Sequence, residues 1–302
     1  MARPQKLALP MRDGVSASCV ALPNGPWALL IDFLVERMPQ ISHAVWLARL
    51  QDGLVLDETG QALRPDAGFC PGQRVYYYRQ IAAEPVIPFE ASILFQDDLL
   101  LVVDKPHFLP VTPVGRYVQQ TLLTRLKQAT GLAHLTPLHR IDRETSGLVL
   151  FGLQPQTRAA YQALFRLREV EKTYEAIAAF KPGLALPLTR SSRLQQSEAS
   201  FMQMVEVAGL PNAQTRISLL EQSGHEARYL LQPLTGQRHQ LRVHMSALGL
   251  PIRGDRIYPT LWPEPALPDY SAALQLLACG LSFIDPVTHQ ARRFELGRKL
   301  AF

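Results

Sequence analysis

The stretch PLHRIDRETSG, Pro137 to Gly147, sets one carboxylate, Asp142, between His139-Arg140 on one side and Arg143 on the other. An ionised carboxylate can remove a proton or attack an electrophilic carbon. Cationic neighbours hold such a group in its charged form and attract an anionic substrate as well. The small polar run Thr145-Ser146-Gly147 suits a tight loop feeding the apolar segment GLVLFGL. Loops mounted on a rigid sheet are where reactive side chains tend to be carried.

A second chemical segment is LLQPLTGQRHQLRVHMSALGLPIRGDRIYP. The span Arg228 to Arg256, which begins two residues before it, holds five arginines, two histidines and a single acid, Asp255. Alternation in RHQLRVH predicts a strand with Arg238, Gln240, Arg242 and His244 on one face and His239, Leu241 and Val243 on the other. His239 and His244 lack a third ligand at suitable spacing, so no metal site is expected. A hydrolase using Ser146 would need a Gly-x-Ser-x-Gly elbow, and the chain has none.

The elements that must position these groups follow from spacing. WALLIDFLVERMPQIS carries Leu29, Leu30, Phe33, Leu34 and Met38 at helical intervals, and SHAVWLARLQDG opens on a Ser42 cap and ends at Gly53. A strand pair in LVLDETGQALRPDAGFCPGQRVYYYR completes a first unit, residues 1–85. QIAAEPVIPFEAS reads as a linker near residues 80 to 90. In the second unit, residues 86–302, ILFQDDLLLVVDKP reads as two strands around Asp97-Asp98 and VQQTLLTRLKQATG as a helix ending at Gly131. GLVLFGL is a strand, PQTRAAYQALFRLREV a helix and KTYEAIAAF a strand. Helices and strands mix without βα alternation, which predicts an α+β fold.

The chain has 302 residues, 47% hydrophobic and 19% charged, with a net charge of +5. That composition is globular, and its mild basic excess is compatible with a nucleic-acid partner. Cys19, Cys70 and Cys279 form no Cys-x-x-Cys pair, so neither a zinc knuckle nor a disulfide framework is expected. MARPQKLALPMRDGVS lacks the apolar core of a secretion signal, and no apolar run is long enough to span a bilayer. The expectation is a cytoplasmic protein without a membrane partner, monomeric by default.

These segments together resemble the RluA family of pseudouridine synthases, the ribosomal large subunit type. Its His-Arg-Leu-Asp-x-x-Thr-Ser-Gly hallmark stands here as His139 to Gly147, with Ile141 for leucine. EKTYEAIA is similar to the family's Lys-x-Tyr-x-Ala strand, TGQRHQLRVH to its Thr-Gly-Arg-x-His-Gln-Ile-Arg-Val-His, and LGLPIRGDRIYP to its Gly-x-Pro-Ile-x-Gly-Asp-x-x-Tyr. DKPHFLPVTP resembles the strand that opens the catalytic domain. Departures are Gln237 for arginine, Phe108 for the glycine after Lys-Pro, and Leu277 for histidine in LQLLACGLSF.

The resemblance implies a pseudouridine synthase fold, a mixed and mostly antiparallel sheet flanked by helices and loops, behind a small S4-like N-terminal module. It implies an isomerase that flips a uridine out of structured RNA, ribosomal RNA first and transfer RNA second, without cofactor or metal. Asp142 would be the essential carboxylate, either attacking C1′ or removing the C2′ proton. Arg242 would hold it ionised and oriented, Tyr174 would pack against the uracil, and Arg140 would reach into the vacated space. His139 would orient the loop. Lys105, Arg143, Arg238, Arg253 and Arg256 are expected phosphate contacts. The rival reading is a catalytically inactive RNA-binding or folding protein on the same scaffold.

Overall fold

The computed structural model describes residues 9–79, 84–263 and 268–302. The chain divides into two compact units, Met1–Glu84 and Pro85–Phe302. Residues 80–83 of the expected linker lie outside the described residues.

The first unit comprises β1 (Ser18–Ala21), α1 (Leu30–Arg37), α2 (His43–Gln51), β2 (Val55–Leu56) and β3 (Arg74–Tyr77). Both helices fall where the apolar spacing predicts them, and Ser42 Oγ accepts a hydrogen bond from Val45 N at 3.4 Å. The expected strand pair is in fact a three-stranded antiparallel sheet in the order β1-β3-β2. β1 escapes a local reading because four residues with little alternation gain their order from pairing with β3, more than fifty residues on. Phe33, Leu34, Trp46, Leu50, Val55 and Val75 make the core. Arg49 is buried with its guanidinium 4.9 Å from the Trp46 ring centre, so α2 presents no arginine to an RNA.

The second unit runs β4 (Ser92–Gln96), β5 (Leu100–Lys105), α3 (Leu122–Thr130), β6 (Thr136–Pro137), β7 (Ser146–Gly152), α4 (Arg158–Leu167), β8 (Glu171–Ala179), β9 (Leu188–Gln196), β10 (Met204–Val207), β11 (Ala213–Ser223), β12 (Glu226–Pro233), α5 (Gln240–Ala247), β13 (Leu276–Ile284) and β14 (Ala291–Glu295). Its 11-stranded sheet has the order β10-β9-β11-β12-β8-β13-β7-β5-β4, with β14 on β13 and β6 on β7. Among the described residues, the pairing of β13 with β7 is the parallel one and the rest are antiparallel.

β5 and β7 are apolar on both faces because both are covered. Leu101, Val103, Val149 and Phe151 pack with Leu122 and Leu126 of α3, while Leu100, Val102, Leu148 and Leu150 pack with Tyr161 and Leu164 of α4. Thr121 Oγ1 caps α3 through Thr124 N at 3.2 Å, and Gly131, at φ +70°, ends it. The outer arm alternates instead: β12 buries every second residue and β9 is largely polar.

RHQLRVH is not a strand. His239 takes a left-handed φ of +54° and α5 follows it from Gln240. Gln240 Oε1 accepts from Gln237 N at 3.0 Å and from Thr235 Oγ1 at 2.6 Å, which secures the helix start. Residues 240–245 are all buried, so a period of two says nothing there, whereas Leu241, Met245 and Leu248 pack into one cluster at helical spacing. Arg238, Gln240, Arg242 and His244 therefore do not share a face: Arg242 and His244 lie about 200° apart around α5.

Gly147 sits where β7 meets β5 and β13, at φ +115°, and an added Cβ would lie 2.2 Å from Ala278 O. Gly147→Ala should cost about 3 kcal/mol, combining backbone strain with overpacking. Urea unfolding measures the loss.

Candidate active site

Asp142 lies in the loop between β6 and β7, and the loop is tied down from behind. The Lys105 ammonium donates to the carbonyls of Pro106 (2.9 Å), Leu109 (2.8 Å) and Arg143 (3.0 Å). Burial pushes Lys105 down to about 7, against the pull of Glu144 and Asp142. His107 Nδ1 donates to Glu144 O at 2.9 Å. Lys105 is fully buried, so its expected role as a phosphate contact is corrected: its charge serves three backbone carbonyls.

His139 fastens the other side of the loop. Its Nε2 accepts from Leu150 N at 3.1 Å and its ring stacks on Phe165 at 4.6 Å. Burial, with a smaller contribution from Lys172, pushes its pKa down to about 3. The folded protein thus carries His139 neutral where the unfolded chain binds a proton near pH 6.5, and stability is lost as pH falls from that value towards 3. His139→Gln retains an acceptor for Leu150 N but does not titrate. Between pH 7 and 5 the wild type should lose about 2 kcal/mol more than this variant in urea unfolding.

In front of the loop stands the first turn of α5. Arg242 Nη1 donates to Asp142 Oδ2 at 3.4 Å and lies 3.8 Å from Glu144 Oε2. Its other nitrogens grip Asp255 in a fork, Nε to Oδ2 at 2.8 Å and Nη2 to Oδ1 at 2.6 Å. Asp255 also accepts from the amides of Ile257 (2.8 Å) and Tyr258 (3.0 Å). Burial alone would lower the pKa of Arg242, but hydrogen bonding and charge from Asp255, then Asp142 and Glu144, raise it, so the guanidinium is permanently charged. For Glu144 burial works upward, and the guanidiniums of Arg143 and Arg242 hold it below the usual carboxylate range. The Arg242 side chain is 1% exposed and that of Asp142 is 26% exposed, so solvent reaches the carboxylate and not its partner. The result is a buried cation, neutralised by Asp255, with the partly exposed carboxylates of Asp142 and Glu144 beside it, of which Asp142 accepts its hydrogen bond.

Of the other expected residues, Tyr174 lies near enough for the Asp142 charge, after burial, to push its phenol up. It packs at the margin of the cluster holding Ala176, Leu231 and Leu241. Arg140 is exposed beside the carboxylate in sequence. Arg143 pairs with Glu144 at 2.8 Å and lies over the Tyr117 ring. Arg238 is exposed and donates to the Phe201 and Met202 carbonyls. Arg253 pairs with Glu226, and Arg256 with Asp269. Ser146 is fully buried at the start of β7, which removes it as a hydrolytic nucleophile. Among the described residues no three His, Cys, Asp or Glu side chains gather as a metal site. No described helix is long and apolar enough to cross a membrane.

Sequence reasoning missed Asp255 as the fixed partner of Arg242, and missed the place of His239 and Tyr258 beside it. The segment GDRIYP did carry a signal, because Asp255 is the lone acid in an otherwise cationic stretch.

A broad, mostly antiparallel sheet carrying a partly exposed carboxylate against a buried arginine matches the arrangement that the resemblance to the pseudouridine synthases implies. Residues 99–247 match the family model for RNA pseudouridylate synthase. An uncharacterized RNA pseudouridine synthase of Synechocystis is 29% identical over 76% of this chain and 79% of its own length. The dual-specificity RNA pseudouridine synthase RluA of Haemophilus influenzae is 31% identical over 70% of this chain and 94% of its own. The solved structure of human RNA Pseudouridylate Synthase Domain Containing 1 shares the fold, with a TM-score of 0.57 and 24% identity over 72% of this chain and 86% of that one. The chain belongs to the RluA-type RNA pseudouridine synthases, isomerases that convert uridine to pseudouridine in RNA.

Proposed function

We propose that this chain isomerises uridines in ribosomal or transfer RNA, with Asp142 as the reacting carboxylate. The observation that carries the reading is the contact of Asp142 with Arg242 across 100 residues of sequence, exposed on the carboxylate side alone. The N1–C1′ bond breaks, the uracil turns, C5 bonds to C1′, and the C5 proton leaves while N1 takes up a proton from solvent, so that the product is an isomer with no net redox change. Asp142 either attacks C1′ or removes the C2′ proton, and both roles need it ionised.

A stacked uridine hides its glycosidic bond, so the nucleotide must be extruded at roughly a few kcal/mol. Tyr174 receives the flipped base, a contact worth about 1–3 kcal/mol. Arg140 enters the space left behind. Arg143, Arg238, Arg253 and Arg256 sit near enough to the surface to meet phosphates, at the cost of exchanging their present partners. The N-terminal unit is read as an S4-like module that docks rather than grips RNA, given the burial of Arg49. A yeast mitochondrial relative, 31% identical over 58% of this chain and 38% of its own length, is named tRNA pseudouridine(32) synthase, which supports the transfer-RNA arm.

The test is a map of carbodiimide-resistant uridines in total RNA from cells with and without the gene. One or a few positions should lose their signal in the deletion and regain it with the wild-type chain. An unchanged map would remove the assignment.

A further inference from the structure

We propose that His239 is a positioning residue for Asp142, locked by Tyr258 in the tautomer that carries its proton on Nε2. His239 is the residue before α5, Arg242 is its third, and i, i+3 spacing puts both on one face of the first turn. Arg242 Nη1 meets Oδ2 of Asp142, while His239 Nε2 stands 3.9 Å from Oδ1. Two groups from one rigid turn thus address the two oxygens of one carboxylate.

The tautomer follows from donor counting. Tyr258 is buried and its hydroxyl oxygen accepts from Met204 N at 2.7 Å. The phenolic proton then needs an acceptor, and His239 Nδ1 lies 2.9 Å away. If Nδ1 carried the proton instead, the buried phenol would accept twice and its own proton would have no partner. The Nε2 lone pair would also face the Asp142 oxygen. Both penalties disappear with the proton on Nε2. His239 holds this place at φ +54°, a left-handed conformation that is costly for a residue with a side chain and that clusters at functional sites.

At 3.9 Å the Nε2–H does not yet bond to Oδ1. Such contacts are long in the free enzyme and tighten when substrate closes the site. His239 then fixes the plane of the carboxylate that Arg242 keeps charged, and one lone pair is left directed at the sugar. This role rests on Asp142 being the reacting group.

Two measurements on the full chain test it. Long-range 1H–15N correlation of the histidine rings, with His239 identified by the signals lost in His239→Gln, should show Nδ1 bare and Nε2 protonated at neutral pH. In Tyr258→Phe that pattern should mix or reverse. A protonated Nδ1 in the wild type overturns the proposal. In single-turnover assays, His239→Gln, which keeps an N–H near the Nε2 position, should stay within about threefold of the wild type, and His239→Leu should be slower by about tenfold or more with RNA affinity unchanged. Both replacements share whatever strain φ +54° imposes, so their difference isolates the N–H. Equal losses, or a loss expressed in RNA affinity, would also overturn it. A wild type that forms no pseudouridine yet shows the Nε2–H tautomer supports the locked ring and places the failure in the reading of Asp142.

Discussion

Asp142→Asn is expected to lower pseudouridine formation by at least about 10³-fold while RNA binding is kept. Asparagine matches the carboxylate in shape but can neither attack C1′ nor accept the C2′ proton. The fold should tolerate it: Arg242 keeps the fork to Asp255, and the loop keeps its ties to Lys105, His107 and His139. RNA affinity should hold or rise, because the change removes an anion from a surface that meets phosphates. Release of tritium from 5-tritiated uridine RNA reads the chemistry, and filter binding reads the affinity. An inactive RNA-binding protein on this scaffold would show no turnover in either form. Deuterium at C2′ separates the two routes, since it slows glycal formation and leaves direct attack at C1′ nearly untouched.

How far the site could be read in advance depended on where its determinants lie. β5 and β7 are legible because an unbroken apolar run bounded by turn residues has few alternatives. The carboxylate is legible because its neighbours along the chain are cationic. What could not be read is tertiary. Nothing local joins Arg242 to Asp255, thirteen residues on, or sets Tyr258 against His239. Lys105 reads as a phosphate contact until burial is known, since one positive charge looks the same on a surface and beneath a loop. The misassigned strand at RHQLRVH has a similar origin, because total burial removes the polar–apolar contrast that separates a period of two from one of 3.6. The polar strand β9 went unseen for the opposite reason: it buries few of its residues, and its order comes from β10 and β11 on either side.

Removing the Arg242 guanidinium should damage the fold and the chemistry together, and a second substitution should separate them. In Arg242→Met the Asp255 carboxylate, 1% exposed, is left buried without a counter-charge, which costs about 3–5 kcal/mol. Asp142 simultaneously loses its donor, and a lost preorganised donor of this kind lowers the rate by about 10²–10³-fold. Adding Asp255→Asn removes the stranded charge and keeps a carbonyl oxygen for the amides of Ile257 and Tyr258. Replacing both members of a buried pair by neutral groups is often nearly neutral for stability. The double variant should therefore recover most of the unfolding free energy in urea and none of the single-turnover rate. Recovery of both would mean that Arg242 matters only as the partner of Asp255, and that Asp142 works without it. Recovery of neither would mean that the guanidinium is needed to seat the first turn of α5 itself, so that its effect on the rate reflects the loss of the site as a whole.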